Sequence, residues 1–320
     1  QLSYGERQRT VAVLDSAGSY RLCSRVAVVF AATVTAEKDG VLQTGTEVIG
    51  GLKGWEALAG GAPLAAARRA ARLATAKLSA PVAKPGEFPV VLAASAGGTF
   101  VHEAIGHSLE ADHVQEGTSP AFAGKVGRRV AGPKLTIVDD PTIPFARGSY
   151  PFDDEGSPAQ PVVLVERGVL KGYLHDRVSG LRGSAAPNGH GRRQSYRSRP
   201  IPRMSNIYIA PGPDAPALML AELGTGLLVT RMGGGEVNTA TGEFVFGVDE
   251  GWWVVDGAVK HMVRDANILG VGPQVLRSID RVGWDLGWGL GTCGKQGQGV
   301  AVSDAQPTLR IPKLLVGGRA

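Results

Sequence analysis

The sequence has 320 residues, of which 43% are hydrophobic and 20% are charged, and its net charge is +5. This length allows one large domain or two smaller ones with a substantial buried core. No apolar run approaches the roughly 20 residues that a membrane span requires, so we expect no membrane association. The lysines and arginines are scattered along the chain, and no recognisable motif accompanies them, which argues against a nucleic-acid partner.

The cysteine content bears on the cellular compartment. Cys23 and Cys293 are the only cysteines, and they lie far apart in the sequence. This usage argues against a disulfide framework and favours a reducing compartment, so we predict a cytoplasmic location. The first residue is Gln1 and not Met, as is typical of a fragment, and the lack of a signal peptide is therefore uninformative.

Residues 1–84 predict a small α+β domain. Four strand-like runs lie within residues 9–48 and are separated by short turn signals: TVAVLD, SYRLCS, VAVVFAATVT and VLQTGTEV. The alanine-rich stretch 64–78 then predicts a helix with a basic face. Three prolines in residues 79–89 are typical of a linker, and we place a domain boundary near Lys84.

Residues 85–320 predict a larger, mainly β domain. A buried strand at residues 90–94 is followed by the turn SAGG and by a helix that contains two histidines. Further strands follow, including a hairpin with Arg167 and Gly168 at its turn. Two more helices are predicted at residues 216–224 and 272–283. Because strands occur in runs with helices inserted singly, the pattern favours an α+β fold with mainly antiparallel or mixed sheets.

The segment TFVHEAIGHSLEADHV, residues 99–114, carries the main functional signal. Zinc peptidases commonly place two histidines four residues apart on one helix face, but here His102 and His107 are five apart. In a regular α-helix such positions differ by about 140°, so one ring would face the core and the other the solvent. A π-bulge brings them onto one face, and Gly106 lowers the cost of that distortion or of an early helix end. We therefore predict that residues 102–107 leave α-geometry and that both imidazoles converge on one ion.

Glu103 directly follows the first histidine. Metal-assisted hydrolysis needs a carboxylate at such a place, beside the ion but free to take a proton from bound water. A catalytic zinc site also takes a third protein ligand and keeps one open position. Nearby candidates for that ligand are Glu110, Asp112 and His113, and distant ones are Cys293, His175, His190 and His261.

Cys293 stands out among the distant candidates because of its surroundings. It lies in the glycine-rich stretch 288–300, which we interpret as a loop where the backbone can approach another group closely. Cys23 lies within a predicted strand, and we interpret it as a structural residue.

Several longer stretches resemble one protein family. They are FVHEAIGHSLEADHV, FAGKVGRRVA, TIVDDPT, DDEGSPAQPVVLVERGVLKGYLHDR, NGHGRRQSYRSRPIPRMSNIYIAPG and GTCGKQGQGVAVSDAQPTLRIPKLLVGG. Together they closely resemble the TldD branch of the TldD/PmbA family, once described as modulators of DNA gyrase and now understood as zinc metalloproteases. The resemblance extends in order over residues 86–320, and residues 1–80 resemble the family's middle domain more loosely. The family's N-terminal domain has no counterpart here, so the resemblance implies a truncated or shortened member.

The resemblance also implies roles for individual residues. It makes His102, His107 and Cys293 the ligands of a Zn²⁺ cofactor and Glu103 the catalytic base; the PmbA (TldE) branch lacks this motif. His113 departs from the family pattern, which leaves open whether it or an acidic neighbour joins the metal site.

The resemblance further implies a substrate and a partner. Family members act as TldD–TldE heterodimers on unfolded or flexible peptides, so we expect a peptide substrate and either a PmbA/TldE-type subunit or a second copy as partner. The alternative function is a non-catalytic or regulatory subunit of such a complex, in which the histidine helix holds no competent metal.

Two further stretches are candidates for substrate binding. Arg192 and Arg193 could contact substrate carboxylates or carbonyl groups, although an exposed basic loop explains them equally well. Gly234 and Gly235 lie in a predicted hairpin, residues 233–246, whose edge is a candidate for holding a peptide as an added strand. An ordinary hairpin is the simpler interpretation of that stretch. The acidic turn at residues 153–156 resembles a small cation site but is more simply an exposed turn.

Overall fold

The structure is a computed structural model that describes residues 1–16 and 18–318. Its strands are β1 (Leu2–Leu14), β2 (Tyr20–Lys38), β3 (Val41–Gly51), β4 (Gly86–Leu92), β5 (Ile137–Asp139), β6 (Val162–Glu166), β7 (Val169–Leu170), β8 (Gly191–Arg192), β9 (Ile201–Pro202), β10 (Asn206–Ile209), β11 (Gly226–Val237), β12 (Glu243–Val255), β13 (Ala258–Val263), β14 (Ala266–Val271), β15 (Arg281–Val282), β16 (Gly287–Lys295), β17 (Gln298–Gln306) and β18 (Leu309–Gly318). Its α-helices are α1 (Ala62–Ser79), α2 (Thr99–Val101), α3 (Ala111–Gln115), α4 (Arg177–Arg182), α5 (Pro216–Ala221) and α6 (Gly272–Ser278). Helix α2 continues as a π-helix at His102–Gly106 and a 3-10 turn at His107–Leu109, and further 3-10 turns lie at Trp55–Leu58 and Ala94–Ala96.

The amino-terminal part is an antiparallel sheet of β1, β2 and β3 covered by α1. Helix α1 buries one stripe of small side chains, including Ala66 and Ala70, against Val28, Phe30 and Ala32 of β2. The sequence predicts two strands where the structure has the single 19-residue β2, because β1 pairs with β2 without interruption.

A small closed barrel forms one half of the remaining chain. Strands β11, β4, β18, β14 and β12 are neighbours in that order, and β12 pairs again with β11. Strand β12 shows why the barrel has a core: Phe244, Phe246 and Val248 are buried, whereas Glu243 and Val245 between them are exposed. This alternation places every second side chain inside the barrel. Strand β4 begins at Gly86, so the predicted linker already contains its first residues.

The other half is a mixed six-stranded sheet in the order β16, β17, β10, β5, β6 and β7. Strands β10 and β17 run parallel, and the other neighbours in this sheet are antiparallel. The predicted hairpin at Arg167 and Gly168 is confirmed, with φ of 46° and 81° at its two turn residues. The predicted loop at residues 288–300 is wrong, because β16 and β17 form a hairpin there with β16 at the sheet edge.

The histidine segment, Thr99–Leu109, lies between the barrel and the six-stranded sheet. Phe100 packs edge-to-face on Phe244 of the barrel with ring centroids 5.9 Å apart. On the other side a Cβ at Gly98 would lie 2.2 Å from the backbone nitrogen of Ala305 in β17, so only glycine allows this approach. The resulting α+β fold with mixed sheets agrees with the fold class predicted from the sequence.

Salt bridges and hydrogen bonds join the amino-terminal sheet to the rest of the chain. Arg9 of β1 pairs with Asp154 at 2.8 Å, and Arg25 of β2 donates to the carbonyl oxygen of Ser149 at 2.7 Å. Glu47 of β3 pairs with Arg231 of β11. These contacts bring the edge of β3 close to the barrel strand that continues into the predicted hairpin at residues 233–246.

Candidate metal centre

The geometry of the histidine segment departs from a regular helix. Three α-helical residues are followed by a π-helix from His102 to Gly106 and a 3-10 turn that begins at His107. The wider π-turn places positions five apart on one side, which a regular α-helix does not. The two imidazole centroids are therefore only 5.1 Å apart, with an interplanar angle of 85°. The predicted departure from α-geometry and the predicted convergence of the two rings are both confirmed.

Gly106 allows this geometry through close packing, and not through the backbone freedom that the sequence indicates. Its φ of −54° and ψ of −57° are ordinary for a right-handed helix, so no special backbone freedom is needed. A Cβ at this position would lie 2.2 Å from the sulfur of Met204 and 3.1 Å from Cδ1 of Ile207. Glycine avoids this overlap, because the turn packs directly on these side chains.

Cys293 of β16 completes a cluster with the two histidines. The ligand atoms of His102, His107 and Cys293 lie within 4.8 Å of one another, and Sγ of Cys293 is 3.4 Å from Nε2 of His107. His102 is 5% exposed and Cys293 is 4% exposed, so both donor atoms are shielded from bulk solvent. Two ligands about 2.0–2.3 Å from one tetrahedral ion would be roughly 3.5 Å apart, close to the observed sulfur–nitrogen distance.

The hydrogen bonds of the two histidines leave nitrogen atoms for an ion. Nδ1 of His107 lies 3.1 Å from Oε2 of the buried Glu110, and this contact orients the ring so that Nε2 points to Cys293. Nδ1 of His102 is buried and has no hydrogen-bond partner within residues 1–16 and 18–318. Buried polar atoms are rarely left unpaired, and two imidazoles with one thiolate are a donor set that zinc accepts. The residues present therefore fit a zinc ion.

Electrostatics favour the thiolate form of Cys293. Burial raises the pKa of the Cys293 thiol, but hydrogen bonds and positive charge from His102 and His107 outweigh burial and lower that pKa to about 5. A thiolate is the form of cysteine that binds metals. Burial lowers the pKa of His107, but Glu110 and Cys293 together outweigh burial and hold that pKa well above its usual value.

Glu103 has the freedom that a base requires. Its carboxylate is partly buried, and we find no hydrogen-bond donor to it in the described part of the chain. Burial raises the pKa of Glu103, while the charges of His102 and His107 act in the opposite direction. The side chain thus lies beside the three candidate ligands without being committed to another partner.

A cleft of about 370 Å³ lies between β3, β11 and β16, and none of His102, Glu103, His107 and Cys293 lines its wall. Its wall includes Asp304, whose Oδ1 accepts a hydrogen bond of 2.9 Å from the backbone nitrogen of Gly98. Gly234, one of the two glycines predicted to bind substrate, also lines this cleft. Gly235 does not line it and pairs with Phe246 in the β11–β12 ladder.

The structure places the two predicted arginines away from the cluster. Arg192 is 7% exposed, stacks over the ring of Tyr150, and donates to the carbonyl oxygens of Met204 and Ala301. The expected exposed basic loop is therefore wrong for Arg192, whose guanidinium holds backbone segments together. The backbone nitrogen of Arg193 donates to Asp154, and its Nε is buried without a hydrogen-bond partner among the described residues.

The other candidate third ligands lie elsewhere. Nδ1 of His113 contacts the hydroxyl of Thr118 at 2.8 Å, and its Nε2 lies 3.8 Å from Glu110. His190 is paired with Asp139, and Nδ1 of His175 lies 3.3 Å from the hydroxyl of Ser179. In the part of the chain that the structure describes, the cluster of candidate metal ligands contains His102, His107 and Cys293, and none of these residues.

A buried ionic network behind the cluster was not predicted from the sequence. Glu110 is fully buried and contacts Lys295 at 3.0 Å and Arg203 at 3.9 Å. Lys295 also pairs with Asp112 at 2.7 Å. The sequence feature that could have indicated this network is the position of Lys295, two residues after Cys293. On a strand, this spacing places both side chains on one face.

Comparison with family models decides the family. Residues 85–318 match the PmbA/TldA metallopeptidase C-terminal domain, and residues 1–78 match the central domain of the same family. The chain belongs to the PmbA/TldA metallopeptidase family. The resemblance to the TldD/PmbA family in the sequence is thereby confirmed.

Curated members of the PmbA/TldA family are similar over most of the chain. A metalloprotease TldD homolog of Haemophilus influenzae is 40% identical over 254 residues, which are 79% of this chain and 52% of that protein. A metalloprotease of Methanothermobacter thermautotrophicus is 35% identical over 317 residues, 99% of this chain and 69% of that protein. A zinc metalloprotease TldD homolog of Saccharolobus solfataricus is 35% identical over 236 residues, 73% of this chain and 52% of that protein. The chain thus spans about half the length of several relatives.

Solved structures related to the PmbA/TldA family have the same fold. A candidate modulator of a DNA gyrase from Thermotoga maritima superimposes with a TM-score of 0.82 at 25% identity, covering 99% of this chain and 68% of that one. TldE from Thermococcus kodakarensis gives 0.75 at 20% identity with the same two coverages, which shows a shared fold alone. Among residues 1–16 and 18–318, no helix is both long and apolar enough to cross a membrane.

Proposed function

We propose that this chain is the catalytic part of a zinc-dependent metallopeptidase. In this proposal His102, His107 and Cys293 hold the ion and Glu103 is the base. The observation that supports it most is the convergence of three buried ligand atoms within 4.8 Å, beside the Glu103 carboxylate, which has no hydrogen-bond partner in the described part of the chain. Membership of a metallopeptidase family supports the same class of reaction.

The roles of the side chains follow from their positions. When bound, zinc supplies Lewis acidity, which polarises a peptide carbonyl and lowers the pKa of water. Glu103 takes the proton from the attacking water and hands it to the leaving amine, since it is adjacent to the ligands but not one of them in this assignment. Glu110 holds His107 in the tautomer whose Nε2 lone pair faces the cluster.

The proposed substrates are unfolded or flexible peptides. The cleft beside Asp304 is lined by β3, β11 and β16 and is open to solvent. Such a cleft between strands accepts an extended chain more readily than a folded surface. Gly234 remains a proposed substrate contact because it lines the cleft and leaves open space above its Cα.

The remaining proposals concern the whole protein. We propose a TldE-type subunit or a second copy as partner, and the exposed apolar side chains Leu14, Tyr20 and Leu22 on the β1–β2 hairpin support an additional contact surface. We also propose a cytoplasmic location, since Cys23 and Cys293 are both free. The division into residues 1–84 and 85–320 likewise stays a proposal.

Metal analysis combined with a matched pair of cysteine variants tests the function. The purified chain is expected to hold about one zinc equivalent and, with its partner subunit if one is required, to cleave a reduced and alkylated protein. Cys293→Ala should lose zinc, whereas the matched variant Cys23→Ala should keep it. Zinc affinity should also fall as the pH is lowered, because protons compete for the thiolate and the imidazoles.

Glu103→Gln separates metal binding from chemistry. It keeps the shape of the side chain and removes the charge, so zinc content should be normal while peptidase activity falls by about 10²–10⁴-fold. Full activity in Glu103→Gln, or loss of zinc as complete as in Cys293→Ala, would remove Glu103 from the role of base. A wild-type chain without bound zinc and without activity would favour the non-catalytic subunit instead.

A further inference from the structure

The ammonium group of Lys295 is buried two residues beyond Cys293, at the end of β16. Its side chain is 4% exposed. Nζ lies 3.0 Å from Oε2 of Glu110, 2.7 Å from Oδ1 of Asp112 and 3.0 Å from the carbonyl oxygen of Pro202. A lysine ammonium has three hydrogen-bond donors, so these three acceptors use all of them.

The periodicities of the strand and the helical segment explain how this lysine is related to the metal centre. Residues two apart on a strand point to the same face, so Cys293 and Lys295 both point toward the histidine segment. Glu110 follows the 3-10 turn His107–Leu109 in an extended conformation, and its Oε2 lies 3.1 Å from Nδ1 of His107. The contacts form two parallel links between the same elements: Cys293 to His107 at 3.4 Å, and Lys295 to Glu110 at 3.0 Å.

We propose that Lys295 is a positioning residue for the candidate metal centre. By bridging Glu110 and Asp112, it fixes the β16–β17 hairpin against the histidine segment, so that Sγ of Cys293 and Nε2 of His107 meet at ligand distance. This inference rests on the proposed metal-dependent function and extends it to a residue that touches neither the ion nor the substrate.

The surroundings of Glu110 show why the neighbouring Arg203 cannot take over the contact that Lys295 makes with Glu110. Glu110 is fully buried, and the nearest atom of Arg203 is 3.9 Å away. The guanidinium of Arg203 is already engaged with the carbonyl oxygens of Cys293 at 2.6 Å and Gln298 at 3.2 Å. Without Lys295, Glu110 therefore loses its closest permanent cation, and the hairpin loses its only side-chain link to both Glu110 and Asp112 among the described residues.

Metal titration of a matched pair of lysine variants tests the proposal. Lys295→Met removes the buried ammonium, and Lys313→Met removes an exposed one, which pairs with Glu87 at 2.7 Å on the surface. In the full 320-residue chain, zinc affinity is measured by competition with a chromophoric chelator, and Co²⁺ binding by its absorption spectrum. Loss of an outer partner of a metal ligand typically costs 10–100-fold in affinity, so we expect a loss of about this size for Lys295→Met and none for Lys313→Met.

The cobalt spectrum distinguishes positioning from general stability. A displaced Cys293 should weaken the thiolate-to-cobalt band in Lys295→Met, and Lys295→Arg should restore part of both the affinity and the band. If Lys295→Met does not fold, Asp112→Asn provides the test, since it neutralises one of the three acceptors and should produce a smaller loss in the same direction.

The outcomes separate this inference from the proposed function. If Lys295→Met, or Asp112→Asn in its place, binds zinc as tightly as the wild type with an unchanged cobalt spectrum, the positioning role is overturned and the metal centre stands. If the wild type itself binds neither zinc nor cobalt, both the proposed function and the positioning role of Lys295 are overturned.

Discussion

Two buried histidine clusters in this chain differ in how far their hydrogen bonds are satisfied. His190 is completely buried and uses both ring nitrogens: Nδ1 contacts the carbonyl oxygen of Asn188 and Nε2 contacts Asp139, each at 2.9 Å. Asp139 also accepts from the backbone nitrogen and the hydroxyl of Ser205. In the other cluster, Nδ1 of His102 has no partner in the described residues, and its neighbours are His107 and Cys293.

Burial does not distinguish the two clusters, because both are buried. The unpaired ring nitrogen does distinguish them, and it supports the proposed role of His102. An unpartnered buried polar group costs about 1–3 kcal/mol, so a protein keeps one only where something else compensates. In the His190 cluster, bonds within the protein satisfy both ring nitrogens. In the proposed metal site, an ion would supply a bond to the His102 ring that the described residues do not.

The largest expected effect comes from removing one histidine from each cluster. His102→Ala deletes a proposed ligand, so zinc affinity should fall by more than the roughly 100-fold that loss of an outer partner can cost. His190→Ala leaves the Asp139 carboxylate buried without its imidazole, and an unsatisfied buried group costs about 1–3 kcal/mol, and more when it is charged. Zinc titration and urea unfolding of both variants measure these two losses.

Each variant is expected to lose one property, zinc affinity or stability, and to keep the other. His102→Ala should unfold at nearly the wild-type urea concentration, and the folded fraction of His190→Ala should still bind zinc. Equal losses of stability in the two variants, with zinc retained in both, would mean that the two clusters have the same structural role.

The second prediction concerns the close packing that supports the His102 cluster. Gly106→Ala places a methyl group against Met204 and Ile207, and overpacking of this kind costs about 1–3 kcal/mol of unfolding free energy. Zinc affinity should also fall, because the π-turn that carries His107 has to move.

Two further variants serve as controls for the packing argument. Gly172→Ala introduces the same methyl group where no atom lies within 4 Å, so it should be neutral. Gly106→Ala combined with Met204→Ala should recover part of the lost stability, since the sulfur that obstructs the methyl group is then absent. A fully stable Gly106→Ala single variant would contradict the packing explanation.

The smallest expected effect comes from a carboxylate that is less well satisfied than Asp139. Glu155 forms no salt bridge within the described residues and accepts from the backbone nitrogen of Arg177 at 2.7 Å. Burial, followed by the nearby charges of Asp176 and Asp153, raises the pKa of Glu155 to about 7 from an ordinary value of 4.5. Its contribution to stability is therefore complete below pH 4.5 and is lost as the pH rises through 7.

Glu155→Gln tests this sign. The neutral amide should leave stability unchanged at pH 5 and raise the unfolding free energy by about 1 kcal/mol at pH 8, a value reduced because solvent screens this partly exposed group. Urea unfolding at both pH values measures the difference. A loss of stability at pH 8 would show that the charged form of Glu155 is favoured in the folded chain.

Local patterns in the sequence were sufficient to predict much of the fold and part of the candidate site. The Arg167–Gly168 hairpin and helix α1 follow from turn chemistry and periodicity, which act over a few residues. The departure of residues 102–107 from α-geometry also follows from the sequence, because two rings five positions apart cannot face one ion from a regular helix. The prediction allowed either a π-bulge or an early helix end near Gly106, and the structure has the π-turn at His102–Gly106.

Other features depended on partners that are distant in the sequence. The strand conformation of residues 287–295 comes from pairing with β17, and the glycine-rich composition by itself indicated a loop. Arg192 has the composition of an exposed basic segment, yet its guanidinium is buried under Tyr150. Neither environment can be inferred from neighbouring residues, because the groups that create it come from other elements.

The same distinction separates the two halves of the metal centre. His102, Glu103 and His107 share one helical segment, so their relation is a local property that sequence spacing determines. Cys293 lies 186 positions after His107, and only the packing of β16 against that segment brings its sulfur to 3.4 Å from the imidazole. Lys295 and Glu110, 185 positions apart, hold the same two elements together. The sequence by itself determined which residue types were available to an ion, and tertiary packing decided which of them meet, because a contact across such a separation has no local pattern that encodes it.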